Sequence, residues 1–91
     1  MNKAELIKKV ADESKVPVKE TEKIINELIF EIKESLSNGK KVILPNFGTF
    51  TLVQRAPKIF KNPRNGQETK LPARTLPYFK ASAKLKAKLQ D

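Results

Sequence analysis

The stretch QRAPKIFKNPRNGQETKLPARTLPYFK, from Gln54 to Lys80, decides the fold of this chain. Two polar, extended halves flank the turn-forming residues 63–66, Pro-Arg-Asn-Gly, which predicts a long β-hairpin. The stretch contains seven basic residues and a single acid, Glu68, whereas a merely solubilising surface intersperses both signs of charge. A cationic hairpin with so little apolar surface of its own needs a partner outside the chain. We call residues 54–80 the arm.

The composition limits the class of protein. The chain has 91 residues, enough for one small domain that buries roughly 60–65% of its unfolded surface. It contains no cysteine and no histidine, so disulfides and the usual zinc and copper ligand sets are excluded. No apolar run approaches the roughly 20 residues of a membrane span, and the N-terminus lacks the apolar core of a signal peptide. We therefore expect a cytosolic protein with no metal and no cofactor.

The net charge of +9 is distributed unevenly along the chain. Residues 1–38 include seven basic and eight acidic residues, whereas residues 39–91 include twelve basic and two acidic ones. Because the positive field belongs to the second half, a polyanion is the natural partner. Nucleic acid is the leading candidate, and an anionic membrane surface is the second.

Two helices are predicted in the first part of the chain. Asn2 is placed to cap the first helix, which should end near Lys15. Pro17 separates this helix from a second one, which should end at Asn38-Gly39, where glycine supplies a left-handed residue. An apolar stripe with four-residue spacing identifies the second helix: Ile24, Leu28, Ile32 and Leu36.

The pattern then changes to strands. Residues 42–44 form a short β-prone run, Pro45-Asn46 is typical of a turn, and residues 47–53 predict a second strand. Prolines at positions 57, 72 and 77 cannot donate to a central ladder, which indicates exposed edge strands in the arm. Gly48, between two phenylalanines, indicates a close approach of the backbone. Ser82 is placed to cap a short last helix.

The order of elements predicts an α+β fold in one domain covering residues 1–91: two N-terminal helices, an antiparallel sheet extended into a long β-hairpin, and a short C-terminal helix. Within it we expect a helical base (1–38), a sheet core (39–53), the arm with its return strand (54–80) and the last helix (81–91). The apolar residues are few for a chain with such an arm, and dimerisation through the second helix and the sheet would compensate. The candidate dimer core is Leu28, Ile29, Ile32, Leu36, Phe47, Phe50 and Phe79.

Three features of the arm have two interpretations each. Arg55, Lys58 and Lys61 recur every three residues, so either the strand twists or bulges, or these side chains wrap around an object. Pro63 is either a turn-former or an apolar wedge able to enter between base pairs. The adjacent apolar residues 59 and 60, Ile-Phe, either pack between the strands or contact the sugar walls of a minor groove.

No catalytic arrangement is recognisable, so we do not expect an enzyme. The acids of the second helix are interleaved with lysines, which indicates a solvated helix face and not a catalytic or metal cluster. These acids are Glu20, Glu27, Glu31 and Glu34.

Short motifs along the whole chain resemble the HU/integration host factor family of bacterial histone-like proteins. They include Phe-Gly-Thr-Phe at 47–50 and Asn-Pro-x-x-Gly at 62–66, which together are highly specific. The others are Asn2-Lys3, Glu5-Leu6-Ile7, Gly39, Arg55-Ala56, Pro77 with Phe79, and Leu85-Lys86.

The resemblance implies an intertwined dimer with two arms that reach into the minor groove of double-stranded DNA, where a proline at each tip kinks the duplex. It implies a nucleoid protein that binds with little sequence specificity, favours bent, nicked or junction DNA, and does not act at a membrane. Pro63 would be the wedge. The other DNA-binding residues would be Arg55, Lys58 and Lys61 along the arm, Arg64, Lys70, Arg74 and Lys80 beyond them, and Lys3, Lys84 and Lys86 on flanking phosphates.

The chain departs from the family pattern at several positions. Lys58 and Lys61 stand where the family often has arginine, and lysine lacks the planar fork of a guanidinium. Phe60 replaces a glycine, Asn46 replaces a common glycine, and Ser-Ala-Lys at 82–84 replaces the usual Gly-Lys. These changes leave open how the arm fits a groove and which C-terminal lysine contacts phosphate.

Several alternatives stay open from the sequence. The chain could be a site-specific subunit like integration host factor, an RNA-binding or ribosome-associated basic protein, or a module that binds acidic proteins or membrane surfaces. The scarcity of exposed aromatic residues for base stacking counts against RNA. A homodimer is the first expectation, and a heterodimer stays open.

Overall fold

The computed structural model describes residues 1–90, and it confirms the α+β architecture. The elements in chain order are α1 (Lys3–Ser14), α2 (Val18–Ser37), β1 (Val42–Leu44), β2 (Gly48–Arg55), β3 (Lys58–Lys61), β4 (Glu68–Leu71), β5 (Arg74–Ala81) and α3 (Ala83–Gln90). The chain divides into two compact units, Met1–Ser35 and the part that begins at Leu36.

Helix α1 begins and ends where the sequence predicts. The side chain of Asn2 accepts a hydrogen bond from the Glu5 N–H at 2.9 Å, which satisfies one of the free donors of the first turn. Lys15 adopts the left-handed conformation with φ 56°, and the Val16 N–H donates to the Ala11 carbonyl at 3.0 Å. These bonds close the last turn of the helix and reverse the chain toward α2.

The first unit has a very small core. Ile7 and Ala11 of α1 are buried, and so is Thr21 of α2. The Thr21 hydroxyl donates to the carbonyl of Pro17, the residue before α2, at 3.0 Å, so this buried polar group is satisfied locally. The burial of Thr21 is not predictable from the sequence, because a lone threonine in an apolar stripe gives no distinctive pattern.

The second unit contains a three-stranded antiparallel sheet with the order β1-β2-β5. The Leu44–Phe47 turn joins β1 to β2: the Phe47 N–H donates to the Leu44 carbonyl at 3.1 Å, and Asn46 has a φ of 66°. Proline before a left-handed asparagine is the expected chemistry for such a turn. Strand β5 lies at the edge and includes Pro77, as the sequence predicts.

The arm is a single hairpin interrupted once. Strands β2 and β5 pair as far as Arg55 with Arg74, and β3 and β4 resume with Lys58 opposite Leu71. Two residues are skipped on each side, Ala56-Pro57 and Pro72-Ala73, so the pairing continues without a slip. Because proline has no N–H, the two facing prolines explain why the ladder stops there.

An aromatic cluster lies on the sheet. The Phe79 ring lies 4.8 Å from that of Phe50 and 5.2 Å from that of Phe47, measured between centroids. Residue 48 must be glycine, because an added β-carbon would overlap the Phe79 ring. The Ser82 N–H donates to the Phe47 carbonyl at 2.9 Å, and the Ser82 hydroxyl caps α3 by accepting from the Leu85 N–H at 3.1 Å.

Candidate nucleic-acid interface

The tip of the arm is a defined turn. The Asn62 N–H donates to the Gln67 carbonyl at 2.8 Å, and the Gly66 N–H donates to the Asn62 carbonyl at 2.9 Å. Gly66 has a φ of 71°, a conformation that glycine adopts without steric cost. The sequence-predicted turn is therefore confirmed.

Two asparagine side chains accept hydrogen bonds from the backbone of the tip. The Asn62 side-chain oxygen accepts from the Arg64 N–H at 2.9 Å, and the Asn65 side-chain oxygen accepts from the Gln67 N–H at 2.9 Å. These short-range bonds mimic backbone turns and restrict the tip. Pro63 is exposed at this tip.

The distal ladder, formed by β3 and β4, has two unlike faces. Cross-strand partners share a face of a sheet. One face presents Lys58 opposite Leu71 and Phe60 opposite Thr69; the other presents Ile59 opposite Lys70 and Lys61 opposite Glu68. The three-residue spacing therefore places Lys58 and Lys61 on opposite faces, with Lys61 facing the arm's single acid.

The two apolar residues of β3 do not form a core. The side chain of Ile59 is 61% exposed and that of Phe60 is 53% exposed. Because adjacent strand residues point to opposite faces, these side chains cannot pack against each other. Packing between the strands, one of the two interpretations of the sequence, does not cover them.

The base of the arm gathers three of the predicted basic residues. Arg55 is the direct cross-strand partner of Arg74, and both line a cavity with Lys58. The sequence predicts these residues as contacts but does not predict that they come together. Their pairing could have been found from the sequence, because positions 55 and 74 are equally distant from the centre of the turn.

The remaining predicted DNA-binding residues are exposed and more dispersed. Arg64 is at the tip, Lys70 is on β4, Lys80 is on β5 opposite Thr49, and Lys84 and Lys86 are on α3. Lys3 begins α1 in the first unit and is not part of the arm.

The predicted dimer core is largely uncovered in the single chain. Leu28 is 52% exposed, Ile29 and Phe79 are each 37% exposed, and Phe47 is 46% exposed. The other three, Ile32, Leu36 and Phe50, are half-buried. Large apolar side chains exposed to this degree are typical of a surface that another molecule covers.

Residues 1–90 contain no group of three or more side chains placed to hold a metal ion. None of the helices in this part of the chain is long and apolar enough to cross a membrane.

Comparison with known proteins identifies close relatives over almost the whole length. The profile of the family described as bacterial DNA-binding protein matches residues 1–90. The chain is 43% identical over 89 residues to the DNA-binding protein HU of Clostridium pasteurianum, covering 98% of both chains. It is 39% identical over 90 residues to the integration host factor subunit beta of Haemophilus influenzae strain PittGG, covering 98% of this chain and 96% of that one.

Solved structures give the same result. An Anabaena HU–DNA cocrystal structure matches with a TM-score of 0.90 and 31% identity, covering 98% of this chain and 97% of that one. HU from Thermotoga maritima matches with a TM-score of 0.71 and 29% identity, covering 98% of each chain.

Proposed function

The chain belongs to the bacterial DNA-binding protein family of HU and integration host factor, and we propose that it bends double-stranded DNA from the minor groove with little sequence preference. HU and integration host factor are themselves standard examples of this mode of bending. In this role the protein would act as an architectural component of the bacterial nucleoid.

One observation supports the proposal most strongly: the arm is an exposed cationic hairpin that ends in an uncovered proline. Basic side chains on both faces of a two-stranded ribbon can neutralise phosphates on either side of a groove. The minor groove would admit the ribbon because the duplex is bent and the groove is widened on binding. The contact residues that we propose are Arg55, Lys58, Lys61, Arg64, Lys70, Arg74 and Lys80, with Lys3, Lys84 and Lys86 on flanking phosphates.

Pro63 would act as the wedge. An apolar side chain that enters between two base pairs unstacks them at a cost of a few kcal/mol per step, and the bent duplex then contacts more protein. Bending a site by 40–90° costs on the order of 1–6 kcal/mol, so DNA that is already nicked or kinked should bind more tightly. The hydrogen bonds of Asn62 and Asn65 restrict the tip and would lower the entropic cost of insertion.

We further propose a dimer, in which residues 1–38 form the base and present two arms to one duplex. The half-exposed apolar residues of α2 and of the aromatic cluster would be covered in this assembly. A second copy would add the buried surface that a chain of this size lacks. A homodimer is the simpler form, because the same surface can serve both subunits.

A second candidate function is a site-specific subunit like integration host factor. It is favoured by the relative named integration host factor subunit beta, at 39% identity. The two functions differ in one quantity, the ratio of affinities for one sequence and for competitor DNA.

The test is a series of gel shifts with the purified chain on linear, nicked and four-way-junction DNA of equal length, repeated across a salt series. We expect the distorted DNA to bind more tightly and all affinities to fall steeply with salt. Equal affinity for linear and distorted DNA would contradict the architectural proposal. A footprint that persists on one sequence in the presence of excess competitor would favour the site-specific subunit.

A further inference from the structure

We propose that Arg55 and Arg74 form a clamp for a single phosphate group at the base of the arm. The inference rests on the proposed function, because the phosphodiester backbone of DNA is the natural source of that group. It goes further by assigning two side chains on opposite strands to one ligand instead of to separate contacts.

The pairing of the strands places the two guanidinium groups together. Arg55 and Arg74 form the last pair of the β2–β5 ladder before the proline gap. Directly opposite residues in an antiparallel pair point to the same face, with β-carbons about 4.5–5.5 Å apart. Both arginines line one cavity, whose other cation is Lys58 and whose apolar walls are Leu71, Pro72 and Leu76.

This pairing is unfavourable without an anion. Like charges directly opposite each other destabilise a strand pair. No acidic side chain lines the cavity within residues 1–90. The arm's single acid, Glu68, is opposite Lys61, six residues from Arg55 along the strand and therefore roughly 20 Å away. The arm itself supplies nothing to neutralise the two guanidinium groups.

A phosphate group fits the chemistry of the cavity. Each guanidinium presents a planar fork of N–H donors that can bind two phosphate oxygens at once. Two forks from opposite strands can therefore hold one phosphate from both sides, while Lys58 adds a third positive charge. The cavity volume of about 370 Å³ leaves room for the group and several waters, given about 30 Å³ per water.

The clamp lies beside the interruption of the ladder at residues 56–57 and 72–73. Neither Pro57 nor Pro72 can donate a backbone hydrogen bond, so the two strands are least firmly joined there. A phosphate held by both arginines would connect the strands immediately before this weak point.

The first test uses inorganic phosphate and the full chain without DNA. The sequence contains three arginines, Arg55, Arg64 and Arg74, so their Nε–H signals can be followed individually by NMR. Replacing chloride with phosphate at constant ionic strength and pH should shift the signals of Arg55 and Arg74 with one shared dissociation constant. Arg64 at the tip is the internal control and should shift less.

A variant distinguishes one phosphate group that both arginines bind from two phosphate groups that they bind separately. In Arg74→Gln, the phosphate-dependent shift of the Arg55 signal should be largely lost, whereas Lys40→Gln removes one positive charge that does not line the cavity and should preserve it. The clamp would be wrong if all three arginine signals moved in parallel, if Arg55 and Arg74 gave different constants, or if Arg74→Gln left the Arg55 shift unchanged.

The second test asks whether the phosphate group in the clamp is supplied by the DNA backbone. In a salt series on a nicked duplex, the double variant Arg55→Gln/Arg74→Gln should reduce the slope of log affinity against log salt by about one per arm, because a single phosphate is lost. Two independent contacts would reduce it by about two per arm and would overturn the clamp while preserving the proposed function. Unchanged DNA affinity would contradict the clamp and the assignment of Arg55 and Arg74 as DNA contacts, whereas the proposed function is tested separately by the gel shifts on distorted DNA. Circular dichroism of each variant checks that the fold is retained.

Discussion

The ring of Phe79 lies against Gly48, in the space that a side chain at position 48 would occupy. A β-carbon built there would overlap the ring and would lie 2.7 Å from the Lys80 carbonyl oxygen. The Phe-Gly-Thr-Phe motif is therefore a packing requirement of the sheet. Its two phenylalanines, Phe47 and Phe50, lie on either side of the position where the Phe79 ring approaches the backbone.

Gly48→Ala should lower the free energy of unfolding by about 1–3 kcal/mol, because the Phe79 ring must move from its position against Phe50. Chemical denaturation measures this loss. Adding Phe79→Leu should reduce the penalty of the alanine, since a smaller side chain leaves room for the methyl group. An equal penalty in both backgrounds would mean that the ring is not the obstacle.

Replacing Pro63 with alanine should reduce DNA bending far more than DNA binding. The wedge is lost, but the phosphate contacts that provide most of the affinity remain. We expect a smaller bend angle by fluorescence energy transfer between the ends of a duplex, with Kd changed by less than about fivefold, or about 1 kcal/mol. Pro45→Ala is the control variant, because it removes a proline from the β1–β2 turn, away from the tip. Unchanged ring closure of short duplexes by Pro63→Ala would disprove the wedge.

Phe60→Ser should weaken DNA binding without destabilising the protein. The ring is 53% exposed, so its loss should change the free energy of unfolding by no more than about 0.5 kcal/mol. If it contacts sugars in the groove, affinity should fall about 5- to 30-fold, which corresponds to about 1–2 kcal/mol of apolar contact. Thr69→Ala changes its cross-strand partner and serves as the control. A destabilised variant with normal affinity would instead indicate packing within the arm.

Leu28→Asp should prevent dimerisation. Leu28 is 52% exposed in the single chain. Burial of one leucine contributes about 1.5–3 kcal/mol, and the residue occurs twice in a homodimer. A carboxylate at this position should therefore weaken the association of the dimer by at least about 100-fold. Sedimentation equilibrium measures the association constant.

Phe30 provides the control for that variant. It is 51% exposed and lies two residues further along α2, where it borders Lys23 and Asn26 on another side of the helix. Phe30→Asp should leave the dimer intact. If both variants dimerise normally, the apolar face of α2 is not the subunit interface.

The sequence by itself determined the order of the elements, the helix ends and the turns, whereas the bounds of the strands differ: β2 runs from Gly48 to Arg55 instead of over residues 47–53. The cap at Asn2, the turn at Pro45-Asn46, the helix end at Gly39 and the cap at Ser82 all lie where the sequence predicts them. Each depends on hydrogen bonds or backbone angles within a few residues, so the local order of side chains is sufficient to specify it. The α+β order of elements and the extended, cationic nature of the arm follow for the same reason.

The tertiary structure decided which distant residues meet. Gly48 accommodates Phe79 and Arg55 faces Arg74, although these pairs are far apart in the sequence. A strand pair is defined by its register, and a slip of one residue would turn every side chain to the other face. Only the paired strands therefore show that Lys58 and Lys61 lie on opposite faces and that Phe60 is uncovered. The arm was evident as a charged hairpin from its composition, but its two faces and the cluster of arginines at its base exist only once its strands are paired.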